Sequence, residues 1–284
     1  MSFEWHAVIM AGGMGERLHP LTGPRRLKPL LPVRGGGTLL TRTLRHAHTA
    51  VPSARTWVVT TARCYRQIRQ ALPSTCWPRV IVEPQVRGTA TCIALMAHLI
   101  AARDADAGMI VMPSDHWITP ASALRSTLRV AMRRSERATA ALTCIGIRPT
   151  EPHPGYGYMH HAGARVTRFI EKPSRAQAAA WLRRGSVAWN SGIFIGAARA
   201  FQAAIRAWLP RLAQRVSRLP QQPGRALERA ITRLYPDLSV RSFDRSVLER
   251  HDDVRLVRAQ CAWHDVGSWA SWPVLLRMLD ADRL

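Results

Sequence analysis

The amino-acid sequence predicts an α/β protein built on a doubly wound, mostly parallel sheet. Along the first half of the chain, short apolar runs typical of buried strands alternate with helical segments. The run at residues 109–112 is continuously apolar, as expected for a strand that helices cover on both faces. This alternation favours a parallel sheet with helices on both sides, and ligands of such sheets bind at the carboxyl ends of the strands.

The predicted elements cover most of the chain. We expect strands at residues 6–10, 56–60, 80–82, 109–112, 138–147, 158–160, 166–170 and 189–195, and helices at 38–48, 62–71, 91–102, 176–184, 198–209 and 225–234. Residues 210–223 are expected to form a looser segment, and an amphipathic helix to follow residue 272. No long flexible linker interrupts the pattern, so residues 1–284 are predicted to form a single domain with halves at 1–147 and 148–284.

The charge of the chain is its most unusual bulk property. Its 284 residues include 41 Lys and Arg against 18 Asp and Glu, a net charge of +23, which raises the question of nucleic acid or an anionic membrane. The arginines are spread along the whole length, without a basic tail or an aromatic-interleaved motif, so we expect no nucleic-acid partner. The only lysines are Lys28 and Lys172. Because an ammonium and a guanidinium bind phosphate differently, we expect that the two positions are Lys rather than Arg for a chemical reason.

Cysteine usage and the absence of targeting signals favour a reduced, cytoplasmic protein. The cysteines are odd in number and scattered, without a Cys-x-x-Cys pair, which argues against a disulfide framework and against zinc. They are Cys64, Cys76, Cys92, Cys144 and Cys261. No apolar run approaches the roughly 20 residues that span a bilayer, and residues 1–10 lack the pattern of a signal peptide. We therefore expect no membrane association.

A glycine-rich loop directly follows the first predicted strand. Three glycines, Gly12, Gly13 and Gly15, allow the backbone to turn sharply and to direct its N–H groups at a bulky anion. Arg17 at the end of the loop and Lys28 further on could both reach a polyphosphate lying over it. The spacing is neither that of a P-loop nor that of the dinucleotide fingerprint. The loop predicts a phosphate site; the glycines alone leave a plain strand-to-helix turn open.

Two aspartates are candidates for a metal site. Asp115 follows the strand at 109–112, and Asp265 lies far downstream, between two tryptophans. Two carboxylates delivered to a polyphosphate site suit Mg²⁺, which takes one or two carboxylates together with phosphate oxygens. Either aspartate alone could equally be a helix N-cap. We interpret the adjacent His116 and His264 as neighbours of the site rather than as ligands.

The loop with its two cations resembles the signature of the sugar-phosphate nucleotidyltransferases. That signature reads Gly-Gly-x-Gly-x-Arg-Leu-x-Pro-Leu-Thr, followed by a short loop, a Lys and an apolar strand, and the chain repeats it from Gly12 to Thr22 with Lys28 in place. The resemblance extends in order through at least seven segments, from Val8 to about Trp272. It implies the nucleotide-diphospho-sugar transferase fold, with residues 1–147 as a Rossmann-like nucleotide-binding half and 148–284 as the sugar-phosphate half.

The nucleotide-binding residues implied by the resemblance lie in two segments. They are Ala11, Gly12, Gly13 and Gly15 in the loop, and Glu83, Arg87, Thr89 and Ala90 after the third strand. The second segment is similar to the Glu-Pro-x-x-Arg-Asn-Thr-Ala sequence that lines the guanine side in mannose-1-phosphate guanylyltransferases, a subgroup of the family. Gly88 stands here in place of the usual Asn, which leaves the base open.

The sugar-phosphate residues implied by the resemblance lie in the second half of the chain. In the family, Glu-Lys-Pro binds the sugar phosphate, which implies Lys172 on the phosphate and Glu171 on sugar hydroxyls. Asn190, within Trp-Asn-Ser-Gly-Ile-Phe, and Gly157, within Gly-Tyr-Gly-Tyr, complete the predicted set. From the residues alone, a surface ion pair and an Asn in a tight turn are the alternatives.

The resemblance implies a nucleotidyl transfer from a nucleoside triphosphate to a sugar-1-phosphate. Arg17 and Lys28 would neutralise phosphates, and Mg²⁺ on Asp115 and Asp265 would align the reactants. GTP and mannose-1-phosphate are the expected substrates; glucose- or heptose-1-phosphate with UTP or dTTP, and a non-catalytic basic binding protein, are the alternatives. We expect a catalytic domain without a C-terminal β-helix or isomerase domain, and leave open whether it is a homodimer.

Overall fold

The structure is a computed structural model that describes residues 3–72, 79–267, 269 and 272–278. Its strands are β1 (Trp5–Met10), β2 (Thr56–Thr61), β3 (Arg79–Glu83), β4 (Gly108–Pro113), β5 (His116–Thr119), β6 (Leu142–Ile147), β7 (Gly157–Ala162), β8 (Arg165–Glu171), β9 (Val187–Ala197), β10 (Val254–Ala259) and β11 (Ala262–Asp265). Its helices are α1 (Leu39–His48), α2 (Ala62–Ala71), α3 (Thr89–Ala101), α4 (Ala121–Arg137), α5 (Arg175–Arg184), α6 (Ala198–Trp208), α7 (Pro210–Val216), α8 (Arg225–Leu234) and α9 (Trp272–Met278).

A nine-stranded sheet forms the centre of the fold, in the order β3-β2-β1-β4-β9-β6-β10-β8-β7. The first four neighbours are parallel to one another. β9 then runs antiparallel between β4 and β6, and the sheet continues as a mixed one. The predicted α/β class is confirmed. The sheet takes strands from both predicted halves, and the division at residue 147 stays a prediction.

The parallel part of the sheet places the predicted loops at one edge. β1, β3 and β4 are followed directly by the glycine-rich loop, by the segment at 84–90 and by Asp115. Because the carboxyl ends of parallel neighbours share an edge, these three segments lie together, as predicted from the sequence. A separate antiparallel pair, β5 with β11, adds the fourth segment by pairing Asp265 with His116.

Most predicted helices are confirmed, α2 and α8 at the predicted bounds, and two segments were predicted wrongly. The strand expected at 138–147 begins only at Leu142, because α4 extends to Arg137 and residues 138–141 form the turn that follows it, in which the N–H of Ala141 donates to the carbonyl of Ala138 at 3.0 Å. The looser segment expected at 210–223 begins with α7, where Pro210 occupies the first turn. The short β5, β10 and β11 were not predicted.

The core packs around α3, which is buried on every side from Ala90 to Ile100. Such an all-apolar helix belongs inside a fold rather than at its surface. Of the cysteines, Cys64, Cys92 and Cys144 are buried free thiols and Cys261 is half-buried and free, as predicted, while Cys76 lies outside the described residues. Throughout the described ranges, the helices are too short or too polar to cross a membrane.

The backbone conformation and the packing at position 88 explain why Gly88 stands in place of the usual Asn. Its φ of 82° and ψ of 169° lie in a region that is essentially restricted to glycine. A Cβ at this position would stand 2.2 Å from the carbonyl oxygen of Arg241. That same oxygen accepts a hydrogen bond from the backbone N–H of Ala90 at 3.1 Å. Gly88 therefore lets the chain at 241–243 pack directly against the segment at 84–90.

This contact generates a stability prediction. Gly88→Ala should lower the free energy of unfolding by about 2 kcal/mol or more, because the new Cβ meets backbone and is strained at positive φ. Urea denaturation measures the change. Gly163→Ala is the matched control, since Gly163 also has a positive φ, 58°, but open space around its Cα. Equal losses in the two variants would contradict the assigned role of the Arg241 contact.

Candidate active site

The glycine-rich loop shapes one wall of the site. It leaves β1 through Ala11, whose N–H donates to the carbonyl of Val59 at 2.7 Å. Gly15 adopts φ 80° and ψ 32°, a left-handed conformation, and precedes a short 3₁₀ turn, Glu16–Leu18. A Cβ on Gly15 would stand 2.6 Å from Cβ of Lys28. Glycine is therefore required both by the turn and by the close approach of the Lys28 side chain.

The predicted catalytic residues Lys28, Asp115 and Asp265 meet at one point. Nζ of Lys28 lies 2.7 Å from Oδ2 of Asp115 and 3.1 Å from Oδ1 of Asp265. Lys28 opens a short 3₁₀ turn and is only 5% exposed. The β5–β11 ladder delivers Asp265 next to Asp115 by pairing it with His116. Residues far apart in sequence thus form one buried cation–dicarboxylate cluster.

Lys28 and Asp265 stabilise each other's charged forms. Burial on its own would lower the pKa of Lys28, but the carboxylates of Asp115 and Asp265 outweigh it and raise that pKa above its ordinary value. Burial likewise opposes ionisation of Asp265, yet the Lys28 ammonium lowers the pKa of Asp265 to about 2. Lys28 and Asp265 are consequently both charged at neutral pH.

An open cavity of about 660 Å³ lies over the loop and the cluster. The predicted residues that line it are Gly12, Gly13, Gly15, Arg17, Lys28 and Asp115. Arg17 is exposed and gives the cavity a second cation. Arg63, in the first turn of α2, gives a third that the sequence analysis missed, because nothing in its local sequence separates it from the surface arginines. The size of the cavity and its three cations suit a bound anion, and Glu16 and Asp115 are the acidic residues of the lining.

Glu83 lies below the loop and is 7% exposed. The hydroxyl of Tyr235 donates to its Oε1 at 2.7 Å, while Oε2 lies 3.8 Å from where a Cβ on Gly12 would stand. Burial raises the pKa of Glu83 to about 7, with the Tyr235 hydrogen bond acting in the opposite direction. One carboxylate oxygen is thus held by the protein and the other faces the loop.

The other residues predicted on the nucleotide side make contacts within the protein. Arg87 donates from Nε to the carbonyl of Tyr235 and from Nη2 to that of Pro236, each at 2.8 Å. Thr89 accepts a hydrogen bond at Oγ1 from the backbone of Phe243 at 2.8 Å. Ala90 is buried at the start of α3. These contacts hold the segment in place, and a direct role of the three residues in binding nucleotide stays a prediction.

The predicted sugar-phosphate residues form a second cluster. A Cβ on Gly157 would stand 2.5 Å from Oε2 of Glu171 and 3.3 Å from Cβ of Asn190, so glycine makes room for both side chains. Lys172 is half exposed, with Nζ 3.7 Å from Oε1 of Glu171. Burial, and next the nearby Asp244 carboxylate, raise the pKa of Glu171 to about 7. Gly157 therefore lies against both Glu171 and Asn190, and Lys172 lies beside Glu171.

Two acidic residues in this cluster received no role from the sequence. Asp244 accepts a hydrogen bond at Oδ1 from Nδ2 of Asn190 at 2.7 Å. Glu249 accepts one at Oε1 from the backbone N–H of Glu171 at 2.7 Å. Asp244 ends the sequence Ser-Phe-Asp and Glu249 ends Val-Leu-Glu five residues later, and both stretches are similar to the family.

Aromatic rings connect the two clusters. The ring of Tyr156 lies 5.1 Å from that of Trp189 and 4.9 Å from that of Trp263. Trp263 donates from its indole N–H to Nδ1 of His116 at 3.2 Å, so that ring carries its proton on Nε2, which lies 3.9 Å from Oδ1 of Asp265. The clusters thus share one rigid support, and His116 lies beside Asp265 as its neighbour.

The arrangement fits a divalent cation. Both carboxylates already reach one cationic atom, and Mg²⁺ needs only one or two carboxylates when phosphate oxygens and water complete its shell. In the part of the chain that the structure describes, groups of three or more His, Cys, Asp and Glu with metal-site geometry are absent. A metal here would accordingly depend on oxygens from a bound phosphate.

The fold and site define an α/β protein with a cationic, phosphate-sized cavity at the carboxyl edge of its sheet. Residues 6–277 match the model of the family described as Nucleotidyl transferase. The chain belongs to that family.

Named relatives and solved structures agree with this assignment. The chain is 32% identical to a mannose-1-phosphate guanylyltransferase of Sinorhizobium fredii, over 93% of the chain and 54% of the relative. It is 32% identical to the xanthan biosynthesis protein XanB of Xanthomonas campestris, over 93% and 58%. A Thermus thermophilus structure described as mannose-1-phosphate geranyltransferase superposes with a TM-score of 0.82 at 31% identity, over 96% of the chain and 79% of that structure. The chain spans less than two thirds of the curated relatives.

The raised pKa of Glu83 generates a prediction about stability and pH. Between about pH 5 and pH 7 the folded protein keeps a proton on Glu83 that the unfolded chain has lost, so the free energy of unfolding should fall as pH rises. Glu83→Gln removes this contribution. The variant should therefore gain about 1 to 3 kcal/mol relative to the parent from pH 5 to pH 8, measured by urea denaturation.

Glu228→Gln, at an exposed position of α8, is the control for this experiment. An identical pH dependence of stability in Glu83→Gln and the parent protein would show that Glu83 is not buried as described.

Proposed function

We propose that the chain transfers a guanylyl group from GTP to mannose-1-phosphate, with release of pyrophosphate and formation of GDP-mannose. The observation that carries the proposal is the meeting of Lys28 with Asp115 and Asp265, because Lys28 and Asp115 also line the cavity beside the glycine-rich loop. Relatives named mannose-1-phosphate guanylyltransferase in Sinorhizobium fredii and in Escherichia coli support the choice of substrates.

In the proposed reaction a phosphate oxygen of the sugar-1-phosphate attacks the α-phosphorus of GTP. A bond forms between that oxygen and the phosphorus, and the bond from the phosphorus to the pyrophosphate oxygen breaks. Such chemistry depends on positioning and on neutralising charge rather than on a protein nucleophile. The backbone of residues 12–15 holds the triphosphate, and Lys28 and Arg17 neutralise its oxygens.

Asp115 and Asp265 would hold the divalent cation, for which we propose Mg²⁺. When bound, the metal supplies Lewis-acid neutralisation of the phosphate oxygens. The protein's own part is to keep both carboxylates ionised and directed at one point, which the lowered pKa of Asp265 and the ion pairs with Lys28 support.

The second cluster is proposed to bind the sugar-1-phosphate. Lys172 would contact the phosphate and Glu171 the hydroxyls, with Gly157 leaving space and Asn190 held in orientation by Asp244. The raised pKa of Glu171 suits a carboxyl that exchanges hydrogen bonds with hydroxyl groups.

Glu83 supports guanine as the base. An ionised carboxylate only accepts hydrogen bonds, and guanine presents two adjacent donors, N1–H and N2–H₂, on its pairing edge. The other common bases place an acceptor beside each donor there. Oε2 of Glu83 faces the loop while Tyr235 holds Oε1, so the acceptor is pre-oriented. Donors that approach it would also favour the ionised form.

The relatives also leave an alternative, the same chemistry with another substrate pair. XanB and the alginate biosynthesis protein AlgA of Pseudomonas fluorescens are named for polysaccharides rather than for a sugar phosphate. Glucose- or heptose-1-phosphate with UTP or dTTP is therefore the second candidate. The proposal includes a cytoplasmic location and no nucleic-acid or membrane partner.

The deciding experiment measures pyrophosphate released from each common nucleoside triphosphate with Mg²⁺ and mannose-1-phosphate or glucose-1-phosphate. Release with GTP and mannose-1-phosphate alone is the expected result. Release with another pair would keep the chemistry and replace the substrates, and no release with any pair would contradict the proposal.

The role of Lys28 gives a kinetic prediction. Lys28→Ala should keep the fold, checked by circular dichroism, and lose roughly a hundredfold or more in turnover, because one transition-state cation is removed. Arg229→Ala is the control, since Arg229 is an exposed cation on α8. Near-parental turnover in Lys28→Ala would refute the assigned role.

A further inference from the structure

Lys28 occupies the single point on which both acidic side chains of the proposed metal site converge. Its Nζ lies 2.7 Å from Asp115 and 3.1 Å from Asp265, and its side chain is 7% exposed against 25% and 26% for the two aspartates. The ammonium is therefore more deeply placed than the carboxylates that it joins.

The backbone and the aliphatic part of the Lys28 side chain also have close contacts with the glycine-rich loop. Its backbone N–H donates to the carbonyl of Met14 at 3.3 Å. Its Cβ, Cγ and Cδ lie 2.6, 3.2 and 3.3 Å from the position of a Cβ on Gly15. The glycine-rich loop thus holds the side chain against the carboxylates, and the same loop forms the wall of the cavity.

A divalent cation cannot share this point with the ammonium. Mg²⁺ binds oxygen at about 2.0 to 2.1 Å, so a metal held by both aspartates would lie next to Nζ. Two cations at that distance in a buried site repel each other strongly. For Oδ2 of Asp115 and Oδ1 of Asp265 to bind metal, the ammonium has to leave these two oxygens. It then needs a new anionic partner, because a buried charge without one is unfavourable.

A bound polyphosphate would provide that partner. Lys28 lines the cavity together with Gly13 and Arg17, so an anion lying over the loop would be within reach of a small rotation of the Lys28 side chain. The phosphate oxygens that attract the ammonium would also complete the shell of the incoming metal.

We infer that Lys28 is a positioning residue that holds the two metal-binding carboxylates together before metal arrives, and that it yields this point only to a metal that enters with a polyphosphate. Divalent metal then binds weakly to the free protein and firmly to the polyphosphate-loaded one. The inference rests on the proposed function for the presence of a metal site, but not on the identity of the base or the sugar.

The first test measures Mn²⁺ binding to the nucleotide-free protein by electron paramagnetic resonance. Lys28→Met, which keeps the apolar stem and removes the charge, should bind Mn²⁺ at least about tenfold more tightly than the parent, because two facing carboxylates lose their cation. Arg17→Met is the matched control: it removes a charge from the same cavity, and its effect should be less than about threefold. Unchanged or weaker binding by Lys28→Met, or equal gains in both variants, would overturn the inference.

The second test observes the Lys28 ammonium in the unmodified protein. Because Lys28 and Lys172 are the only lysines, protein labelled with ¹³C at the lysine ε-carbon gives two NMR signals, which Lys172→Met assigns. Mg²⁺ alone should leave the Lys28 signal in place, and Mg²⁺ with inorganic tripolyphosphate should shift it. A full shift with Mg²⁺ alone, or no shift with both, would overturn the inference.

Neither test depends on turnover or on GTP. Failure of the pyrophosphate-release experiment would thus refute the proposed substrates without deciding the role of Lys28, and failure of the two binding tests would refute that role without deciding the substrates.

Discussion

The pairing of one ammonium with two carboxylates is the interaction on which the candidate site of this structure depends. Lys28, Asp115 and Asp265 come from three distant parts of the chain, and each needs its own support to reach the others. Gly15 has no Cβ, which leaves space for the Lys28 side chain. The parallel pairing of β1 with β4 places Asp115 beside the loop, and the pairing of β5 with β11 brings Asp265 to the same edge of the sheet. A buried charge without these partners would be unfavourable.

A second set of contacts holds the segment at 84–90, part of which lines the cavity. Residues 235–243 contact the end of β3 and the segment that follows it. The hydroxyl of Tyr235 donates to Glu83, backbone carbonyls in this stretch accept from Arg87, and the backbone of Arg241 packs against Gly88. The segment therefore owes its position to a part of the sequence about 150 residues away. The aromatic rings of Tyr156, Trp189 and Trp263 pack against one another beside the second cluster, which contains the predicted sugar-phosphate residues. The two clusters can be held at a fixed separation, as a direct transfer between two phosphates requires.

What could be predicted from the sequence was local or carried by family resemblance. The glycine-rich loop, Lys28 and helices such as α2 and α8 have strong local patterns, and the parallel strands follow from apolar runs. The meeting of Lys28 with two aspartates could only be expected through the resemblance, because an isolated Asp reads equally well as a helix cap.

The other features could not be predicted from the sequence, because they have weak local patterns or depend on contacts between distant parts of the chain. α4 was missed, since a helix with many arginines and few large apolar residues has a weak pattern, and the turn that follows it was taken for the start of a strand. The contacts of Arg87 with carbonyls of Tyr235 and Pro236 depend on packing that no local sequence encodes. Gly88 looked like a change in base recognition, and the structure gives it a backbone reason instead.

The central claim is that this site moves a nucleotidyl group directly from one phosphate to another by positioning and charge. The stereochemical course at the α-phosphorus tests it most directly, using GTP with a single chiral sulfur substitution at that phosphorus and mannose-1-phosphate as acceptor. One in-line displacement predicts inversion of configuration in the GDP-mannose product. Retention would mean two displacements through a covalent protein intermediate and would contradict the account.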